Sequence, residues 1–195
     1  MTSHSLPLYE EILLLALDDE KGTTNLGGLF ANAMGGAILD ECLALVADAK
    51  KPKKAKEWVM KFAGLKDLKN RAARQLVTRG VLTEETGSVM KIFKRTIYPE
   101  VNGGPEKDLR ERMKKAIFTS TMELEARTVI IVALAQAANM LNGIFPKKKL
   151  KERKKRLEKL TSGQLAGKAT KEAVEAIQAA ILVCAIVPVI ITGAT

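Results

Sequence analysis

The sequence contains few of the side chains that carry out most enzyme chemistry. Its 195 residues include one histidine, His4, and two cysteines. The Cys-x-x-Cys, His-Glu-x-x-His, Gly-x-Ser-x-Gly and P-loop patterns are all absent from it. These patterns supply metal ligands, activated nucleophiles and phosphate-binding loops. We therefore expect a protein that is not an enzyme and that uses no cofactor and no metal.

The cysteines and the first residues indicate the compartment. Cys42 and Cys184 both lie in apolar segments, as is typical of buried thiols in a reducing compartment. Residues 1–5 contain neither a basic region nor a small-residue cleavage site, so no signal peptide is predicted. We expect residues 1–5 to form a flexible tail before a single domain that spans residues 6–195, and we expect the protein to be cytoplasmic.

Composition favours helices and an anionic partner. Alanine, leucine, lysine and glutamate dominate the sequence, whereas glycine and proline are sparse, which favours a mainly helical chain. Hydrophobic residues make up 47% of the chain, enough to form a core. The formal net charge is +10. A charge of that size points to a polyanionic partner, such as a membrane surface, a nucleic acid or an acidic protein.

The first two apolar segments predict helices. Residues 6–22 predict a short buried helix with Pro7 in its first turn and Gly22 in the turn beyond its end. Residues 26–46 predict a second helix that contains several glycines, Gly35 among them. Glycine inside a helix costs about 1 kcal/mol relative to alanine. Close packing of another backbone is the usual compensation, so we expect this helix to be central.

The middle of the chain predicts a helix followed by a hairpin. A helical stretch begins at Trp58, and Gly80 ends it. Residues 81–93 then predict a β-hairpin with Gly87 in its turn. A helix followed by a hairpin resembles a fragment of a winged helix, a fold that binds nucleic acids.

The second half of the chain predicts buried helices. Residues 120–123 read as a capping box that opens a helix. Residues 129–135 in that helix are apolar on every face, so they should be buried. The apolar residues 176–191 are interrupted by Pro188, which favours a buried helix over a membrane span. A further helix is predicted before residue 120, and it should bury a stripe at helical spacing that consists of Leu109, Met113 and Ile117.

Most of the positive charge lies in one run. Residues 147–160 contain nine basic and two acidic residues, a net charge of +7. The run follows the apolar pair Ile144 and Phe145. Basic residues beside an apolar pair suit an anionic membrane surface. A solvated helix is the alternative, with Glu152 and Arg156 as an i,i+4 ion pair and an inner stripe of Leu150, Leu157 and Leu160.

Three segments resemble the Golgi phosphoprotein 3 family. They are the L-x-L-x-E-E-x-L-L-L-x-L string within residues 6–22, L-V-x-R-G-V-L at residues 76–82, and the stretch from Arg127 to Phe145. The resemblance implies a peripheral membrane protein that recognises an anionic headgroup, phosphatidylinositol 4-phosphate in eukaryotic members. The predicted fold is mainly α, a single compact helical domain with a buried central helix bundle and one or two short β-hairpins.

The resemblance also suggests site residues. The positions that hold the tryptophan and arginine of the eukaryotic headgroup pocket fall here at Leu26 or Gly27 and at Gly35. The basic positions of the central helix fall near Glu123 and Ala126, with Arg127 beside them. We expect Arg127, Lys147, Lys148 and Lys149 to bind the lipid headgroup and Ile144 and Phe145 to enter the bilayer.

Two functions from different classes follow from these patterns. The leading one is a peripheral protein that binds anionic phospholipid, either phosphatidylinositol 4-phosphate or another acidic lipid. Such a protein could also bind membrane-protein clients and could associate with further copies of itself. The alternative is a nucleic-acid-binding protein that uses the winged-helix-like residues 65–93, with Arg71, Arg74 and Arg79 as phosphate contacts.

Overall fold

The computed structural model describes most of the chain. It covers residues 6–24, 27–42, 53–89 and 93–165, with residues 49, 51, 171, 174, 175, 177 and 178, and gives the backbone alone at residues 88, 89 and 93. The tail at residues 1–5, Leu26, Cys184 and most of residues 176–191 lie outside the described residues. The helices are α1 Leu8–Leu14, α2 Gly28–Glu41, α3 Ala55–Ala63, α4 Leu68–Thr78, α5 Gly104–Phe118, α6 Ala126–Ala137, α7 Leu141–Ile144, α8 Lys147–Glu152 and α9 Lys154–Thr161, and the strands are β1 Glu85–Val89 and β2 Phe93–Ile97.

Helix α1 is buried but shorter than the sequence pattern suggests. Its leucines and isoleucine, Leu8, Ile12, Leu13 and Leu14, are at most 1% exposed. Pro7 precedes the helix instead of lying in its first turn, and its carbonyl accepts hydrogen bonds from the backbone N–H groups of Glu10 and Glu11. The chain then leaves the helix, and Gly22 adopts a φ of +57° against the backbone of Tyr98 and Pro99. Only glycine adopts that conformation readily where another backbone lies so close.

Helix α2 is central, as its glycines predicted. A Cβ built on Gly35 would lie 2.6 Å from the carbonyl oxygen of Val59 and 2.9 Å from the backbone nitrogen of Ala63. Helix α3 therefore packs directly on the bare face of α2. Val59 is fully buried in this contact, and Trp58 and Phe62 stack beside it with ring centroids 5.6 Å apart.

The single helix predicted from Trp58 to Gly80 is two helices. Helix α3 ends at Ala63 and α4 begins at Leu68, after Asp67 adopts a left-handed φ of 58°. Gly80 ends α4 with a φ of +70°, as predicted. The chain passes directly into the hairpin from there.

The hairpin forms, but it spans residues 85–97 instead of the predicted 81–93, and the predicted position of Gly87 in its turn was wrong. Strands β1 and β2 pair antiparallel, and Gly87 lies inside β1 opposite Arg95. A Cβ on Gly87 would lie 2.9 Å from Cγ2 of Ile97. The glycine thus makes room for a neighbouring side chain in the strand pair, a role that the sequence around it does not distinguish from a turn.

The core is built around α6, which packs against α1, α2, α5 and α9. All residues of α6 from Thr128 to Ala135 are buried, and so is the predicted stripe of α5, Leu109, Met113 and Ile117, each 0% exposed. The predicted capping box was wrong, because α6 begins at Ala126. The Thr121 hydroxyl instead accepts a hydrogen bond from the backbone N–H of Glu123 at 3.2 Å, within the connecting segment.

The fold class is confirmed. The described residues form a mainly helical unit with one two-stranded antiparallel hairpin. Among these residues, no helix combines the length and the apolar character that a membrane span requires.

We expect Gly35→Ala to lower the free energy of unfolding by about 1–3 kcal/mol, because a methyl group there overlaps backbone atoms of α3 that cannot rotate away. Gly28→Ala in the same helix is the matched control, since a Cβ there meets nothing within 4 Å. The control should leave stability unchanged or raise it by up to about 1 kcal/mol. Urea unfolding of both variants measures this, and equal effects would contradict the packing argument.

Candidate functional site

Helix α1 contains a buried carboxylate that binds two arginines. Glu11 is 3% exposed. Its Oε1 lies 2.5 Å from Nη2 of Arg112 on α5, and its Oε2 accepts a hydrogen bond from Nε of Arg127 on α6 at 2.9 Å. A carboxylate out of water is stable only with such charged donors.

Arg127 links this cluster to α2 through Glu41. Its Nη1 lies 3.2 Å from Oε1 of Glu41, and its Nη2 donates to the Leu6 carbonyl. Oε1 of Glu41 also accepts the backbone N–H of Leu8 at 2.7 Å. The Glu11 network (Glu11, Glu41, Arg112 and Arg127) therefore ties four helices together. The guanidinium predicted to bind a lipid headgroup is already bound to two carboxylates.

The three predicted lysines lie elsewhere, on a basic surface formed by α8 and α9. We use that name for the exposed lysine and arginine side chains of residues 147–159. Leu150 and Leu157 are 8% exposed and Leu160 is fully buried, so the two helices pack through their leucines, as the stripe predicted. Lys147, Lys148 and Lys149 are exposed in the first turns of α8.

Arg156 is the exception on this surface. The predicted ion pair between Glu152 and Arg156 does not form. Arg156 instead donates to the carbonyls of Ala116 and Thr121, each at 2.7 Å. It fastens α9 to the end of α5 and to the segment that follows.

The apolar pair beside the basic surface is half-buried. Ile144 and Phe145 both pack against the core. The ring of Phe145 meets that of Phe118 edge to face, with centroids 5.4 Å apart. Met122 is far more exposed, at 68%, and follows directly on Thr121, which Arg156 holds next to α9.

Three of the four predicted headgroup residues line separate cavities. Arg127 lines a cavity of about 890 Å³ beside Arg112. Lys147 lines a second cavity of about 400 Å³ with Lys151 and Lys154, and Lys149 lines a third of about 320 Å³ with Phe118 and Phe145.

Two of the three arginines that the nucleic-acid alternative would use, Arg74 and Arg79, form ion pairs within the chain. Arg74 Nη2 lies 2.7 Å from Oδ2 of Asp67, and Arg79 Nε lies 3.0 Å from Oε2 of the fully buried Glu10. Arg71 is exposed and forms no ion pair within the described part of the chain. These pairings join α4 to its own beginning and to α1.

One group of carboxylates has the spacing of a cation site. Oxygens of Asp19, Glu100 and Glu106 all lie within 4.8 Å of one another. Such oxygens suit Ca²⁺ or Mg²⁺. Glu106, however, is already paired with the guanidinium of Arg110. The arrangement therefore reads as a carboxylate cluster held by an arginine.

The environment of Glu106 changes its acidity. Burial raises the pKa of Glu106 to about 7, against the opposing effect of Arg110 and with help from the nearby Asp19 and Glu100. Burial likewise raises the pKa of Glu10, although Arg79 opposes the shift.

Sequence reasoning missed Glu10, Glu11 and Met122. Glu10 and Glu11 are adjacent acids inside an apolar helix, and such acids need cationic partners from other elements. That pattern signals buried ion pairs but does not name the partners. Met122 was hidden by the capping-box reading of its segment.

We expect Glu11→Gln to lower the free energy of unfolding by about 2–3 kcal/mol, because Arg112 and Arg127 lose the anion between them. Glu125→Gln is the matched control. Its carboxylate is 71% exposed and lies 3.9 Å from Arg112, so its loss should cost at most about 0.5 kcal/mol. Chemical denaturation distinguishes the two, and a loss below that of the control would contradict a stabilising network.

We expect Glu106 to lower stability as the pH rises. Its folded pKa, about 7, lies above the ordinary value of 4.5. The folded state therefore holds the proton more tightly, and the free energy of unfolding falls between these two pH values by at most about 3 kcal/mol. Glu106 lines a cavity of about 220 Å³, and the other charged groups that line it are Asp19, Glu100, Lys107, Arg110 and Glu111.

The test compares Glu106→Gln with the parent chain. At pH 5 the two should have similar free energies of unfolding, and at pH 8 the variant should be the more stable. Denaturant melts at both pH values measure the difference. An identical pH dependence in the two chains would show that Glu106 is not the titrating group.

Comparison with known families identifies the chain. A family model described as Golgi phosphoprotein 3 (GPP34) matches residues 29–177. The match covers well over half of the chain and begins within α2. It includes two of the three segments that carried the resemblance, residues 76–82 and 127–145, whereas residues 6–22 precede it. The chain belongs to the Golgi phosphoprotein 3 family.

Proposed function

We propose that this chain is a peripheral membrane protein that binds anionic phospholipid through the basic surface, attached from the cytoplasmic side. The observation that carries the proposal is the way α8 and α9 are seated. Their leucines fix them to the core, so that their lysines and arginines lie together on one exposed surface. The family is named for a Golgi phosphoprotein, and a protein of a membrane-bound organelle is consistent with binding to a membrane surface.

The charges on this surface are available to a partner. Lys154 lies 3.9 Å from Glu158, at the outer limit of an ion pair. Within the described part of the chain, seven further cations of the surface form no ion pair, namely Lys147, Lys148, Lys149, Lys151, Arg153, Lys155 and Lys159. Each basic residue near an anionic leaflet contributes up to about 1 kcal/mol. Mutual repulsion lowers the sum, which leaves reversible attachment.

Apolar contact would add to the charge. Burying an apolar side chain of this size contributes roughly 1.5–3 kcal/mol. Met122 offers most exposed surface for it, whereas Ile144 and Phe145 contribute the parts that the core leaves uncovered. Charge and apolar contact together reach the roughly 8 kcal/mol that corresponds to a micromolar dissociation constant.

The engagement of Arg127 bears on lipid selectivity. To bind a headgroup phosphate, Arg127 would have to give up contacts with Glu11 and Glu41. Two carboxylates beside the phosphate would also repel it. We therefore propose that the basic surface responds to anionic lipid in general, with phosphatidylinositol 4-phosphate as one such lipid. Membrane-protein clients and self-association stay predictions.

The test is sedimentation with vesicles of neutral or anionic phospholipid, with and without phosphatidylinositol 4-phosphate, at low and high salt. We expect binding to every anionic vesicle and its loss in high salt, because exposed charges are screened. Charge reversal of Lys147, Lys148 and Lys149 to glutamate should weaken binding at least tenfold, since each reversal removes up to about 1 kcal/mol of attraction and adds repulsion.

A matched control separates this surface from net charge. Reversal of the exposed Lys54, Lys66 and Lys94 changes the net charge by the same amount away from the basic surface. It should weaken binding much less. The apolar arm compares Met122→Ser with Met60→Ser, since Met60 is also exposed, at 49%, but lies on α3. Equal losses of vesicle binding from the two lysine sets would overturn the proposed surface. Selective binding to vesicles with phosphatidylinositol 4-phosphate would show a specific headgroup site instead of a general response to anionic lipid.

A further inference from the structure

A cleft lies between the end of α5 and the beginning of α8. Its volume is about 320 Å³, at the lower end of the range for small-molecule sites. The residues that line it are Lys114, Phe118, Phe145, Pro146, Lys149, Glu152 and Arg153. No residue of the Glu11 network lines this cavity, and of the predicted membrane contacts only Phe145 and Lys149 do.

The walls of the cleft are hydrocarbon. Phe118 and Phe145 meet edge to face, with ring centroids 5.4 Å apart, and Pro146 continues the apolar wall. The remaining lining residues are all charged, and no serine, threonine, asparagine or glutamine is among them. A sugar, a base or a peptide backbone would leave its polar groups unpaired against such walls. An aliphatic chain has no polar groups to satisfy.

The charged residues give the cleft a positive rim. Lys149 and Arg153 are exposed and form no ion pair with any other residue that the structure describes. Lys114 shares an exposed contact of 3.0 Å with Glu111, of the kind that contributes little to stability. Glu152 is the one acidic residue of the lining. Three cations against one anion favour a ligand with a negative head.

From this combination we infer that the cleft binds a single-chain acidic lipid as a monomer, with its chain against Phe118 and Phe145 and its acidic head at Lys149 and Arg153. The size of the cleft suits one chain rather than a folded partner. The inference goes beyond the proposed function, because a monomer can enter the cleft with no bilayer present.

The probe is laurate, kept below its micelle-forming concentration and titrated into the full chain by calorimetry. We expect saturable binding of one laurate per chain. Octanoate has the same head and a shorter chain, and we expect it to bind at least tenfold more weakly, because less hydrocarbon is buried. Dodecyltrimethylammonium has a chain of matched length and the opposite charge, and it should also bind at least tenfold more weakly.

Neighbouring residues on α8 supply the decisive variants. Lys149→Glu should weaken laurate binding at least tenfold. Lys148→Glu makes the same change of charge one residue away, but Lys148 does not line the cleft, so it should weaken binding less than threefold. Glu152→Gln removes the opposing anion and should strengthen binding about threefold. All three positions are exposed, so the variants should fold.

Three outcomes would overturn the inference. They are the absence of saturable laurate binding, equal losses in the two lysine variants, and equal affinity for the cationic chain. A short peptide that ends in phenylalanine serves as a competitor control. If this peptide binds more tightly than laurate, the cleft is a site for a protein C-terminus instead. Vesicle sedimentation reports on the proposed function separately, because Lys148→Glu weakens the basic surface and spares the cleft.

Discussion

The fold depends on a carboxylate that cannot stay buried alone. Glu11 lies inside the core, where an isolated negative charge would be far too costly, and two guanidiniums from α5 and α6 balance it. Arg127 extends the same network to Glu41 on α2. Helices that meet through apolar contact alone can slide, whereas directed charge-assisted hydrogen bonds fix their relative positions. The next residue, Glu10, forms an ion pair with Arg79 that joins α1 to α4.

This arrangement divides the arginines from most of the lysines. Arg79, Arg112, Arg127 and Arg156 bind carboxylates or carbonyls and hold helices together. A guanidinium suits this role because its planar set of donors can serve two acceptors at once. The lysines of the basic surface stay on the outside with their charges exposed. The positive charge of the sequence therefore serves two purposes, and only the second is open to a partner.

The predicted headgroup residues include both kinds of charge. Arg127 was predicted from the resemblance to the family, and the three lysines of α8 were predicted from the basic run that follows Phe145. In the fold, Arg127 lies at the beginning of α6 and the lysines come after its end, beyond α7. The 12 residues of α6 span about 18 Å. Arg127 is engaged in the Glu11 network, whereas the three lysines lie exposed on α8.

Local patterns could be predicted well where one periodicity dominated. The stripe Leu109, Met113 and Ile117, the all-apolar α6, the glycine face of α2 and the leucines of α9 are all buried as expected. Errors came where two local structures share the same residue types. Gly87 suits either a turn or a crowded strand, and residues 120–123 suit either a helix cap or a connecting turn. Contacts distant in sequence decided between them.

The sequence by itself determined the fold class, most buried faces and the position of the charge-rich run, since these follow from hydrophobic periodicity and from the spacing of like charges along the chain. Tertiary structure alone decided which charged side chains form ion pairs in the interior of the fold. It paired Glu11 with Arg112 and Arg127 across separations of about a hundred residues, and it placed Phe118 against Phe145 to form a cleft. The physical reason is that ion pairs and cavities depend on which helices meet in space, and a one-dimensional pattern does not contain that information.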